Sequence, residues 1–274
     1  MPITRINNCD IHYEQHGRGP DLVFVHGETH SAALFDEQVR HFSQRYRCLV
    51  YDRRGHCRSE LTPYGYSLWN QTNDLASLME TLQVRKPVIV AVAMSTPIAV
   101  TYTLESPSVV RGLVLASWYE LDGYPLLERR RQKHTMSFGD LHVLMFEKLN
   151  DLGREGLMRY MEQEYEKLFP IFPKDAIVRT KLIEIFASHQ PGHYTESGEY
   201  YTSLPHLVPA VSKIRCPILG ICGRDDPSPD RPELLRGIAN FNEVWIAGAR
   251  RFTMLEAPEE FNAALEAFLG ELAP

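Results

Sequence analysis

Short apolar runs separated by amphipathic stretches restrict this chain to very few architectures. Leu22–Val25, Cys48–Tyr51, Val88–Val92, Leu113–Ala116, Ile218–Cys222 and Glu243–Ile246 are each apolar throughout or nearly so, and each is closed by turn or polar residues. Runs without strict alternation are what central parallel strands look like when both faces are covered. Thr4–Asn7 and Ile11–Glu14 read instead as a hairpin at the sheet's edge. Between these runs, Phe35–Ser43, Ser67–Leu82, Ile98–Glu105, Pro232–Ala239 and Pro258–Leu272 carry helical patterns. In the last, Phe261, Ala264, Leu265 and Phe268 recur at helical spacing. The expected fold class is α/β: a mostly parallel twisted sheet with helices on both faces.

The alternation stops between Tyr119 and His206. There the patterns are long and helical (Leu126–Leu149, Gly153–Leu168, Lys174–His189), rich in Tyr, Phe and Met, with Pro170, Pro173 and Pro191 as punctuation. A helical insertion after one strand reads as a cap over the sheet's carboxyl edge, where open α/β sheets bind ligands. The expected division is a core of residues 1–118 and 207–274 and a cap of residues 119–206. Trp118 and Tyr119, at the entry to the cap, are expected to line a substrate cavity, although helical spacing turns many such aromatics into the core.

Composition excludes more than it assigns. With 44% hydrophobic and 23% charged residues, the chain has the makeup of an ordinary globular protein. A net charge of −6 speaks against a nucleic-acid surface. The first residues carry no apolar core of a signal peptide, and the longest apolar stretch, near Val88 to Met94, is too short to span a bilayer. The five cysteines are an odd number without metal-type spacing, which points to a reducing cytoplasm. No nucleotide-binding glycine loop, metal cluster or haem motif is present, so no cofactor and no metal is implied. A small-molecule ligand is the expected partner, with no nucleic acid and no membrane; a homodimer stays open.

Four motifs occur in order. Val23-Phe24-Val25-His26-Gly27-Glu28 ends a strand; Tyr51-Asp52-Arg53-Arg54-Gly55-His56-Cys57-Arg58-Ser59 approximates an Asp-x-Arg-Gly-x-Gly-x-Ser turn. Val92-Ala93-Met94-Ser95-Thr96-Pro97 joins a strand to a helix, and Gly223-Arg224-Asp225-Asp226 follows another strand. Together they resemble the α/β-hydrolase superfamily, particularly its small members with helical caps, over almost the whole chain outside the cap.

That resemblance implies roles. Ser95 falls at the nucleophile of a Gly-x-Ser-x-Gly elbow whose glycines are replaced by Ala93 and Pro97; the bland alternative is a serine capping a helix. Backbone N–H groups of Glu28 and Thr96 would form the oxyanion hole, and Asp226 would be the acid. The histidine position falls on Arg251, in a segment that keeps the family's Glu256, Pro258 and Glu259; a one-residue shift gives Arg250. Arginine cannot take a proton in a protein, and loss of the triad histidine costs a serine protease roughly 10⁶ in turnover.

His30 just past the oxyanion loop is the foremost substitute base, while His26 is expected to touch substrate or pack its loop. The histidines of the cap are expected to be mostly solvated. Arg251 beside Asp226 would turn the pocket toward anions. The expected activity is therefore an enzyme of this fold working on a small aromatic or carbonyl-bearing metabolite outside the Ser-His-Asp route, by proton transfer, cyclisation, ring opening or decarboxylation. The alternatives are a hydrolase using His30, a non-catalytic ligand binder, and a histidine deliberately replaced at 251.

Overall fold

A computed structural model of the chain describes residues 2–118, 121, 123, 138–196, 198–227, 235 and 237–272. Eight strands form one sheet: β1 (Ile3–Ile6), β2 (Cys9–His16), β3 (Asp21–Val25), β4 (Arg47–Tyr51), β5 (Val88–Val92), β6 (Gly112–Ala116), β7 (Ile218–Gly223) and β8 (Phe241–Ile246), in the order β1-β2-β4-β3-β5-β6-β7-β8. β1 and β2 pair antiparallel, as do β2 and β4, while every other pairing is parallel. All six runs are strands, but only five are central: Glu243–Ile246 belongs to β8, which closes one edge of the sheet and is only partly buried, and the early pair is the hairpin at the opposite edge.

The central strands are buried along their length because side chains alternate between two apolar layers. Val88, Val90 and Val92 of β5 enter one layer, and Ile89 and Ala91 the other. Each such side chain contributes about 1.5–3 kcal/mol on leaving water. The helices covering the sheet are α1 (Asp36–Phe42), α2 (Leu68–Thr81), α3 (Thr96–Glu105) and, after the last strand, α9 (Thr253–Glu256) and α10 (Pro258–Glu271). Their starts follow local chemistry: the Ser67 hydroxyl accepts the Asn70 N–H before α2, and prolines open α3 and α10 where no N–H is needed. The predicted helix Phe35–Ser43 is preceded by a 3-10 turn over Ala32–Phe35. Half of Pro232–Ala239 lies outside the described residues.

Between β6 and β7 come α4 (Phe138–Leu168), α5 (Ala176–Phe186) and the short α6 (His193–Glu196), α7 (Gly198–Thr202) and α8 (Val208–Val211). The segment predicted over Leu126–Leu149 lies outside the described residues up to position 137; from Phe138 it joins the segment predicted from Gly153 in one helical run, broken at Gly153 with φ 66°, ψ 179°, a conformation that glycine adopts without steric cost. Asp175 caps α5 by accepting the N–H groups of Ile177 and Val178. Met145, Leu157 and Phe172 of this insertion share one apolar layer with Ala93 at the end of β5 and with Phe252 after β8. The Arg250 guanidinium ties the insertion down through the carbonyls of Pro170 and Phe172, both at 2.8 Å. Among the described residues, no helix is long and apolar enough to cross a membrane.

Trp118 corrects an expectation. It is fully buried against Phe241 and Trp245 at ring separations of 5.4 and 6.2 Å, over Gly220, where an added Cβ would lie 2.5 Å from the indole. It fills the core and does not line a substrate cavity. Tyr119 lies outside the described residues.

Candidate functional site

The carboxyl ends of β3, β5 and β7 converge beneath the insertion, and the turn after β5 decides what chemistry is possible there. β5 ends at Val92, and the next residue, Ala93, takes φ 48°, the left-handed conformation that makes the strand-to-helix turn sharp. Ser95 comes two residues later with ordinary helical angles (φ −93°, ψ −9°). Its side chain is turned under the sheet. The hydroxyl donates toward the carbonyls of Val25 (2.6 Å) and Val92 (3.0 Å), and accepts the Val92 N–H at 2.9 Å. A buried hydroxyl so engaged ties β3 to β5 and is not presented as a nucleophile, which corrects the placement read from sequence.

Thr96 is corrected on the same grounds: its backbone N–H donates to the carbonyl of Ala93 and is spent within the turn. Glu28 does sit at the end of the β3 loop, but its side chain, which the sequence reading left unused, is the more informative part.

At the other edge, Gly223 closes β7 against the loop that follows β8. An added Cβ would lie 1.9 Å from the Arg250 carbonyl, so no other residue permits this approach. The approach brings Arg251 to Asp226, with Nε 3.2 Å from a carboxylate oxygen whose side chain is fully buried. The pairing falls on Arg251; Arg250 faces the insertion instead, and Glu256 holds the loop by accepting the N–H groups of Arg250 and Phe252.

His30 and His26 have separate environments. The His30 ring lies edge-on to Phe186 and Phe252, both at 5.2 Å, over Gly27, where an added Cβ would come within 2.8 Å of Nδ1. Nδ1 is buried without a partner. Burial, reinforced by His189 and Arg53, pushes the pKa of His30 down to about 3. His30 is therefore neutral at ordinary pH and a weak base. His26 spends both nitrogens on the loop: Nδ1 on the Gly27 carbonyl (2.7 Å) and Nε2 on the Arg53 N–H (2.9 Å). It packs the loop and is not a substrate contact.

The insertion adds what sequence reasoning missed. His142, His189 and His193 are buried, not solvated, whereas His206 is exposed. His193 stacks near His189 and His56 at ring separations of 4.3 and 4.4 Å. At their centre Glu28 and Arg53 form a buried ion pair, Oε2 to Nη2, at 2.5 Å. The other Glu28 oxygen stands 3.3 Å from His56 Nε2 and 3.4 Å from His193 Nε2. Burial pushes the Glu28 carboxyl up, but Arg53 together with His193, His142 and His189 outweighs it and leaves the pKa below the usual value. Arg53 lies 5.2 Å from the centre of the Tyr200 ring, while its Nε and Nη1 are buried without partners. The Tyr200 hydroxyl donates to the carbonyl of Met94 in the β5 turn, joining this cluster to the elbow. No signal in the sequence links these residues, which come from three separate stretches.

Comparison with known proteins agrees with the architecture. Residues 20–137 match the family model described as alpha/beta hydrolase fold. The chain is 27% identical over 142 residues to a 2-(acetamidomethylene)succinate hydrolase of Mesorhizobium japonicum, a match spanning 51% of either chain. It is 26% identical to a putative carbamate hydrolase RutD of Azorhizobium caulinodans over 99% of both. Among solved structures, an esterase from Exiguobacterium antarcticum superposes with a TM-score of 0.78 at 17% identity, covering 98% of this chain and 99% of the other. Sheet order, position of the insertion and these likenesses agree: the chain is an α/β-hydrolase-fold protein.

Proposed function

We propose that this protein is an enzyme that turns over a small, anionic, carbonyl-bearing metabolite without an acyl-serine intermediate, in a pocket capped by the insertion. One observation carries the reading: the sharp turn after β5 has Ala93 at its apex while Ser95 is hydrogen-bonded beneath the sheet. On this reading Ala93 stands where the fold presents its nucleophile. Arg251, paired with Asp226, stands where it presents its base. Neither side chain can perform those steps, since alanine has no nucleophilic atom and arginine keeps its proton.

The relatives support the substrate class. One acts, by its name, on a carbamate and another on an acetamidomethylene derivative of succinate, which is a dicarboxylate. Arg53, with two N–H-bearing nitrogens buried and unpartnered, suits such an anion, because a guanidinium binds carboxylates in a fork. Rate would come from donors aimed at developing negative charge, a contribution of the size that oxyanion-hole variants reveal, roughly 10²–10³ per donor.

The test is a set of small carboxylate-bearing amides, carbamates and lactones assayed with the native chain and with Ser95→Ala. Turnover that survives Ser95→Ala, together with about 1–3 kcal/mol of lost stability from the unpaired buried groups, is the expected result. Covalent trapping of Ser95 by an activated ester, abolished in Ser95→Ala, would overturn the reading.

A further inference from the structure

Three imidazoles at the centre of the buried cluster have more electron pairs than protons to share. His56, His189 and His193 each bring a ring nitrogen to within 4.8 Å of the others, and all three are buried. Their Nδ1 atoms face main-chain carbonyls: Arg54 O at 2.9 Å for His56, Phe186 O at 2.9 Å for His189 and Gly55 O at 3.1 Å for His193. A carbonyl cannot donate, so in His56 and His193 Nδ1 carries the proton and Nε2 presents a lone pair, while His189, with a carbonyl at each nitrogen, presents its Nε2 lone pair in the same tautomer. Metal-ligating histidines are oriented in this way, by a hydrogen bond from the ring nitrogen that does not bind the ion.

The lone pairs are poorly used. His193 Nε2 is buried without a partner, and so is Glu28 Oε1, which faces it across 3.4 Å. His189 Nε2 faces the His30 carbonyl at 3.1 Å and the Cys57 thiol at 3.5 Å. His56 Nε2 has a donor in Nη2 of Arg53 at 3.1 Å. Buried acceptors turned toward one another without a hydrogen between them are costly, and a cation relieves them.

We propose that His56, His189 and His193 form a binding site for a divalent first-row transition-metal ion, with the Glu28 carboxylate supplying negative charge beside it. Imidazole donors suit zinc and its neighbours. Bonds of about 2.0–2.1 Å in tetrahedral geometry require nitrogens about 3.3–3.4 Å apart, so the rings must turn inward from their present spacing. Arg53 must at the same time swing its Nη2 off His56 and keep its bond to Glu28. Three protein ligands leave a fourth position open, and a zinc-bound water is nucleophilic near neutral pH. The site does not depend on the reaction proposed above. The spacing in sequence hides it, because one ligand follows β4 and two belong to the insertion.

The full-length chain is stripped with chelator, incubated with Zn(II) or Co(II), freed of loose ion by gel filtration, and analysed for metal content and visible absorption. The expected result is one ion per chain and the ligand-field band of nitrogen-coordinated Co(II). His189→Gln and His193→Gln should abolish both, with folding checked by far-UV circular dichroism. Arg53→Gln, which removes the competing cation, should tighten binding, and His16→Gln on the surface should leave it unchanged. The Co(II) spectrum of the unaltered chain decides the matter even if a histidine variant fails to fold. Substoichiometric metal without the band, or metal retained equally in both histidine variants, overturns the proposal.

Discussion

The turn after β5 and the cluster around Glu28 occupy the same edge of the sheet, and they differ in where reactive groups are kept. At the turn the backbone bends sharply from strand to helix, with Ala93 at φ 48°, and the Ser95 hydroxyl is sealed between Val25 and Val92. A short distance along the edge, Glu28, Arg53, His56 and His193 form a buried polar assembly with several atoms unsatisfied. Burying such groups costs free energy that an apolar core would not. The comparison teaches that two neighbouring parts of one sheet edge can treat polar groups in opposite ways, one satisfying its hydroxyl completely and the other leaving buried atoms without partners.

The contrast breaks most sharply if the turn can be made to carry a nucleophile and a base. On the reading proposed above, Ala93→Ser combined with Arg251→His supplies both. We expect hydrolysis of an activated ester to rise by about 10³-fold or more, on the scale of what triad removal costs, as read by initial rates. No gain would mean that the apex of the turn is not the nucleophile position.

Next in size is Glu28→Ala. It leaves Arg53 buried without its carboxylate, and breaking such a pair costs about 3–5 kcal/mol, measurable by urea unfolding. A loss under about 1 kcal/mol, typical of exposed pairs, would show the cluster to be solvated.

The third outcome concerns pH. His30 has a folded-state pKa of about 3 against an ordinary value of 6.5. The unfolded chain therefore binds the proton first as the solution is acidified. The stability is complete above pH 6.5 and is lost progressively as pH falls from there toward about 3. His30→Gln should flatten that decline in urea midpoints, and an unchanged slope would place the titration elsewhere.

The smallest effect sharpens the description of the β4 loop. Cys57 sits at φ 44°, a conformation costing most residues about 1–2 kcal/mol. Cys57→Gly should recover about 1 kcal/mol, less whatever its contact with Ser188 contributes, in thermal or urea unfolding.

The sheet was legible because its strands are short apolar runs, and burial on both faces leaves that pattern whatever the protein does. The pairing of Asp226 with Arg251 was legible too, since each is held a fixed distance beyond a strand by a glycine or a proline-bounded helix. Ser95 was misplaced for a physical reason. The apex of the turn is set by where β5 stops pairing and by a positive φ at Ala93, neither of which a row of small residues reveals. Trp118 was misjudged because sequence cannot show on which side of a strand or loop a large ring finds its partners, whereas for His26 packing of its loop was one of the two roles expected. The histidine cluster was invisible because His56 is more than a hundred residues from His189 and His193, and only the packing of the insertion brings them together.

The two adjacent arginines after β8 pull in opposite directions, Arg250 on the carbonyls of Pro170 and Phe172 and Arg251 on Asp226. An exchange at 251 thus leaves the clasp between loop and insertion intact. The contact with the Asp226 carboxylate and the anchorage of the loop are therefore carried by separate side chains, and the residue facing Asp226 can vary while its neighbour keeps the loop moored.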